Sequence, residues 1–465
     1  MARTFDVDAV ADHMRRSREF TRAMFDLVIA ESDLRRPPAD GFRPILWHLG
    51  HVGAFESYWV LQRIKGDPTF APRYDAVFDP IKTPREDANN LPPISEIEGY
   101  LDRVREEVLG FLHSIDDDLS QPLLRDGYIF NLIIEHEYQH QETLAYLLQL
   151  LAPELKTGSR RQEAGGRKQE AGSSSVVGSS TDAECRTLPP ASCLLPPTEA
   201  PAADMVYIPG GACEIGSRGY PFAYDNEQPP HIVELNSFRI DRYPVTCGAY
   251  AEFIAAGGYR ARALWDDAGW AWKEKNEVRA PLYWSRKDDG APWRVREMFA
   301  ETALCPDHPV SGVNWYEAMA YARFVSRRLP TEAEWEKAAS WDAAAQTKRR
   351  FSWGNDPARA SVANYNFARW GTTPVTLHAQ GASAYGCVDM SGNVWEWTAT
   401  VFDGYPGFAA YPYPEYSELW FDGDHRVLKG GSWATRLPLM RTSFRNFWRP
   451  GFRMAFAGFR CAADA

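Results

Sequence analysis

At 465 residues the chain is longer than one compact core supports, so two or three domains are expected. Hydrophobic residues make up 45% and charged residues 24%, the balance of a globular protein, and the net charge of −11 with no basic block argues against a nucleic-acid or anionic-membrane partner. Met1 to Asp8 carries no apolar leader core and no run of 18 apolar residues occurs, which predicts a cytoplasmic protein.

From Phe5 to Leu151 apolar residues recur at helical spacing. Val7, Val10, Met14 and then Met24, Leu27 and Val28 mark a first helix, and Ile45 to Trp59 a second. Ser95 with Glu98 predicts a capping box ahead of a third, through Leu101, Val104, Val108 and Leu112; Ile129 to Leu151 carries the fourth. This is the pattern of a four-helix bundle over residues 1–154. Residues 155–203 are rich in Gly, Ser, Pro and Ala, with a near-repeat at 160–165 and 167–172, and read as a disordered linker. From 204 to 465, short β-branched and aromatic runs alternate with Gly, Pro, Asn and Asp turns. Helical stretches interrupt them at 246–256, 315–326 and 331–339, giving a mixed α+β domain. Tryptophan divides the same way: of 17, only Trp47 and Trp59 precede residue 200. The seven cysteines are scattered, with no CxxC spacing, and read as buried or incidental thiols.

The chemistry is expected on the fourth helix, in His136-Glu-Tyr-Gln-His140. Residues i and i+4 share one helix face, so two imidazoles can reach one metal ion. An isolated pair at this spacing is usually structural; here the flanking segments are strongly apolar, and a buried histidine pair without a ligand is costly. The second helix adds His48 and His51, so four of the chain's ten histidines lie on two helices. Three neutral imidazoles leave coordination positions open, and they suit zinc, iron, copper or nickel equally.

These residues carry a resemblance. His51 in HVGAFE, with His136, His140 and Glu142, resembles the DinB-like bundle of the ergothioneine sulfoxide synthases. The segments 205–217, 308–324, 328–339, 385–398, 427–434 and 457–462 resemble the formylglycine-generating-enzyme type, a C-type-lectin-like fold. The resemblance implies iron(II) on His51, His136 and His140, with His48 a neighbour and Glu142 behind the ligands fixing a tautomer. It implies O2 as cosubstrate, and joining of a thiol to the imidazole C2 of trimethylated histidine (hercynine) as a sulfoxide. By the same resemblance Gln139 contacts the imidazole substrate, Asn446 and Phe447 lie near its trimethylammonium group, Tyr413 is the proton donor and Tyr416 its companion.

One segment departs from the pattern. Where the γ-glutamylcysteine-using branch has an Asp and an Arg gripping the thiol substrate, this chain has Trp448 and Phe452, with Arg449 and Arg453 displaced in register. Free cysteine is therefore the expected thiol, with Arg85 the candidate for its carboxylate. No cysteine lies between Gly430 and Arg445, which disfavours formylglycine generation, and a two-domain enzyme is expected in place of the three-domain ovothiol type. The competing readings are a metal-dependent thiol transferase, which needs no O2, a selenium-using relative, and a non-catalytic lectin-like binding module. Metal analysis of anaerobically purified protein separates them. No sequence feature specifies an oligomeric state.

Overall fold

The computed structural model describes residues 5–67, 70–80, 83, 90–115, 121–157, 204–219, 222–356 and 359–465. Of the expected linker at 155–203, residues 158–203 lie outside them, as does Arg85; its first residues are ordered against the bundle, where buried Lys156 donates to the Leu148 and Leu151 carbonyls.

The first half is a bundle of four long helices: α1 (Val7–Phe25), α2 (Ile45–Glu56), α3 (Ile94–Ser114) and α4 (Tyr128–Leu150). Asp6 starts α1 by accepting a hydrogen bond from the Ala9 amide. Helix α1 stops at Phe25, before Leu27 and Val28. The Ser95 capping box does not form either: α3 begins one residue earlier, behind Pro93, whose extended conformation sets the start without a side-chain cap. Helix α2 runs on as a π-helix over Ser57–Ile64, a rare geometry that recurs near functional sites. Val104, Val108, Ile129, Phe130 and Ile133 fill the core, each almost wholly buried.

That core also contains charge. Each of the four helices contributes one member of a buried ion quartet: Arg18, Glu56, Arg105 and Glu137. Arg18 donates to Glu137 and to Glu56, both at 2.8 Å. Arg105 donates to Glu56 at 2.8 and 2.9 Å and to Glu137 at 3.1 Å. Thr21 adds a hydroxyl to Glu137. Desolvating four charges is expensive, and it is offset only when every carboxylate is met by guanidinium donors, as here. The quartet therefore fixes the register of all four helices.

The second half begins with the strand Met205–Ile208, which pairs antiparallel with Phe238–Asp241. That strand in turn pairs with Ala462–Asp464, so the two ends of this half close one sheet. A four-stranded sheet follows the order Asn446–Trp448, Arg426–Lys429, Trp395–Val401, Ala457–Gly458, the last pair parallel. Helices Cys247–Ala255, Trp315–Phe324 and Glu332–Ser340 pack around these sheets, and a further helix, Asp267–Lys275, was not anticipated. Trp335, Trp395, Trp397 and Trp433 are buried at its centre, which accounts for the skewed tryptophan content. Cys213, Cys247, Cys387 and Cys461 are buried free thiols. Cys305 departs from the expectation of seven incidental thiols, because it is disulfide-bonded. Among the described residues, no helix is long and apolar enough to cross a membrane.

The ion quartet yields a stability test. Arg105→Met strands a carboxylate in the bundle core and is expected to destabilise it by roughly 3–5 kcal/mol. Lys65→Ala, which removes an exposed pair with Glu107, is expected to stay within about 0.5 kcal/mol. Urea unfolding followed by far-UV circular dichroism measures both; equal, small effects would mean that the quartet does not hold the bundle.

Candidate metal centre

Helix α2 presents His48 and His51, and helix α4 presents His136 and His140. One nitrogen from each of His51, His136 and His140 lies within 4.8 Å of the other two, the one cluster of this kind among the described residues. The ring centroids of His51 are 5.2 Å from His136 and 4.8 Å from His140, and the latter two are 4.6 Å apart. A metal held by imidazoles at about 2.1 Å brings neighbouring ligand atoms to about 3 Å, so small rotations of the rings close the set.

The surroundings fix each ring. His51 donates from Nδ1 to the Phe78 carbonyl at 2.8 Å, which leaves its Nε2 lone pair for a ligand. Gly50 makes that contact possible: a Cβ there would sit 2.1 Å from the Phe78 ring. The other face of His51 stacks on Trp47 at 4.5 Å, and His136 stacks on Phe55 at 3.7 Å. His48 lies with its Nδ1 3.1 Å from Nδ1 of His140, so it sits against a member of the cluster and outside the cluster itself. Burial holds His51 down at about 4 and pushes His136 and His140 well below the ordinary imidazole value. All three are neutral at physiological pH, the state that ligates a metal. Three nitrogen donors and an open side fit a catalytic ion better than a closed structural one.

Gln139, between the two histidines of α4, donates from Nε2 to the Tyr224 hydroxyl at 2.6 Å and to the Tyr416 hydroxyl at 3.1 Å. Tyr413 lies one ring away from His136: it packs 6.5 Å from Phe55, 5.0 Å from Trp59 and 6.2 Å from Tyr416. Burial raises the Tyr413 hydroxyl above its ordinary value, so it stays protonated. Tyr224 was not singled out in the sequence. Its signal is faint, because it lies 85 residues from Gln139 in an irregular segment.

One expectation changes. Glu142 touches none of the imidazoles. It accepts from Trp395 Nε1 at 2.6 Å, from Thr435 at 2.7 Å and from Ser432, all in the second half, and so joins the two halves. Phe447 stacks on Phe402 at 4.0 Å, and Asn446 Oδ1 accepts from the next backbone amide. Arg445 beside them is structural, bonded to Glu332 and to the Asn226 and Asp403 carbonyls.

Trp448 and Phe452 stack on each other at 3.9 Å and face Tyr146 at 6.3 and 6.0 Å, the latter ring on α4. Arg449 points elsewhere, to Asp422 and Asp424, and Arg453 is bonded to Glu317 and the Ala280 carbonyl.

Comparison with known proteins agrees with this two-part construction. Residues 13–144 match the DinB superfamily, and residues 192–465 match the sulfatase-modifying factor enzyme 1-like domain. The hercynine oxygenase of Mycolicibacterium thermoresistibile is 36% identical over 444 residues, covering 93% of this chain and 90% of that protein. That of Mycolicibacterium smegmatis is 35% identical over 472 residues, covering 98% and 99%. The second half alone is similar to the formylglycine-generating enzyme of Thermomonospora curvata, 33% identical over 302 residues, which covers 57% of this chain and 94% of that protein. Since the likeness to the first two relatives runs through the bundle and the α+β half together, the chain belongs to the hercynine oxygenase family.

Proposed function

We propose that this protein joins the imidazole C2 of Nα-trimethylhistidine to the sulfur of free cysteine as a sulfoxide, using O2 and an iron(II) ion held by His51, His136 and His140. The reaction balances: one C–H and one S–H bond are lost, a C–S and an S–O bond form, and O2 supplies one oxygen to sulfur and one to water. The observation that carries the reading is the convergence of three neutral imidazoles beside an amide and two tyrosines. When bound, the iron would supply one-electron chemistry with O2 and acidify a thiol, which protein side chains cannot do.

The chain's own residues do the rest. Phe78, Trp47 and Phe55 lock the rings of His51 and His136, so the ligand set is organised before substrate arrives. Gln139 offers its amide to the imidazole substrate. Tyr413 Oη, kept protonated by burial, donates the proton consumed as oxygen is reduced. The apolar Trp448–Phe452 stack excludes water and gives no hold to a charged glutamyl extension, while Arg449 and Arg453 are occupied by other carboxylates. Cysteine is small enough to bind without that hold.

Three measurements test this. Alanine at His51, His136 or His140 is expected to abolish both stoichiometric iron in anaerobically purified protein and turnover, with the helical circular dichroism retained. His48→Ala is expected to keep its iron. A His136→Ala variant with full iron and activity would place the site elsewhere.

Tyr413→Phe tests the proton donor. The expected result is a fall in kcat of roughly a hundredfold or more with KM for both organic substrates within a few-fold, the pattern of a lost acid. An unchanged kcat assigns the proton to another group.

For the thiol, cysteine and γ-glutamylcysteine at equal concentration compete for one enzyme, and the two sulfoxides are separated by mass. An unmade charged hydrogen bond costs roughly 1–3 kcal/mol, so cysteine is expected to win by about tenfold to a hundredfold in kcat/KM. A dominant γ-glutamyl product refutes the assignment.

A further inference from the structure

The contact between Gln139 and Tyr224 has a direction. A primary amide has two hydrogens on nitrogen and two lone pairs on oxygen, and either end can face a ligand. Here Nε2 gives its hydrogens to two phenol oxygens, Tyr224 at 2.6 Å and Tyr416 at 3.1 Å. Among the described residues Oε1 keeps only a long contact, 3.5 Å, with the Tyr416 hydroxyl. The amide is therefore oriented with its acceptor end left for something else.

Tyr224 is built to hold that orientation. It is 2% exposed, its ring stacks on Tyr416 at 4.4 Å and 11°, and its backbone amide donates to Glu227 at 3.0 Å. Glu227 is itself bonded to Arg441, whose other donors grip Glu135 at 2.9 and 3.0 Å. Glu135 lies one turn before Gln139 on α4, so the same piece of the second half holds the helix at two successive turns.

The geometry points to Tyr224 as a positioning residue for the imidazole substrate: its hydroxyl fixes the Gln139 amide so that Oε1 accepts the N–H of the bound imidazole. Tyr416 alone does not suffice, because its hydroxyl lies within reach of both ends of the amide and can serve either orientation. Tyr224 adds a second phenol oxygen to Nε2, so that both amide hydrogens are taken and Oε1 is the end left over. The inference rests on trimethylhistidine being the substrate beside Gln139.

The test is Tyr224→Phe in the iron-loaded enzyme. The variant keeps the ring that stacks on Tyr416 and loses only the hydroxyl. KM for trimethylhistidine, and its Kd by calorimetry without O2, are expected to rise about two- to tenfold, the worth of one hydrogen bond, while KM for the thiol stays unchanged. In a Gln139→Ala background the same substitution is expected to add nothing, because the residue acts through that amide. A purely structural role would move both substrates alike and would persist in the Gln139→Ala background; either result overturns the inference, as does an unaltered Kd. A wild-type enzyme that neither binds nor converts trimethylhistidine overturns this inference together with the proposed function. A wild type that converts it, with Tyr224→Phe indistinguishable from it, overturns this inference alone.

Discussion

Helix α4 has to satisfy three environments at once, and the rest of the structure follows from that. Its residues fall on three faces at helical spacing. Glu135, Gln139 and Glu142 point to the second half of the chain. His136 and His140 point into the bundle toward His51. Glu137 and Gln141 point to α1, where they meet Arg18, Thr21 and Ser17. The glutamate and glutamine side chains on these faces are each met by a partner. The second half both buries the carboxylates of Glu135 and Glu142 and supplies their partners, Arg441 for the one and Trp395, Ser432 and Thr435 for the other, so the cost of desolvation is met across the same contact that imposes it.

The same helix explains how a site made of soft, rotatable imidazoles is held still. Glu137 follows His136 directly, and Glu56 ends the helix that carries His51. Both carboxylates belong to the ion quartet with Arg18 and Arg105. Any slip of α2 against α4 would unpair buried charge before it displaced a histidine. Close approach at Gly50 then brings the Phe78 carbonyl to His51, and aromatic stacking confines the remaining freedom of the rings. Charge fixes the backbone frame, and packing fixes the side chains within it.

The second half contributes walls. Its glutamine partners Tyr224 and Tyr416, its acceptor-facing residues Trp395, Ser432 and Thr435, and its apolar stack of Trp448 on Phe452 come from loops and short strands fixed by the sheets beneath. Loops on a rigid scaffold can change without disturbing the core. This accounts for how a bundle with an unremarkable histidine set and a widely shared α+β domain together specify a narrow chemistry. Trp448 and Phe452 stack on each other and face Tyr146, apart from the imidazole cluster, so this wall can change without altering the cluster.

The sequence by itself determined what is local and periodic. The i, i+4 spacing of His136 and His140, the apolar stripes of the four helices and the change of composition after the linker were all legible, because helix geometry converts spacing directly into a shared face. Glu142 marks where this stops. Its resemblance-based role put it behind the metal ligands, whereas two residues from His140 it lies on another face of the helix, and its carboxylate is taken by Trp395, 253 residues away, and by Ser432 and Thr435. The ion quartet, Tyr224 against Gln139, and the engagement of Arg449 and Arg453 by distant carboxylates were equally invisible. Each depends on which surface of a second unit packs against a given face, and that is decided by the packing of the whole chain and the need to pair every buried polar group. Local period names the face; tertiary structure alone names what covers it.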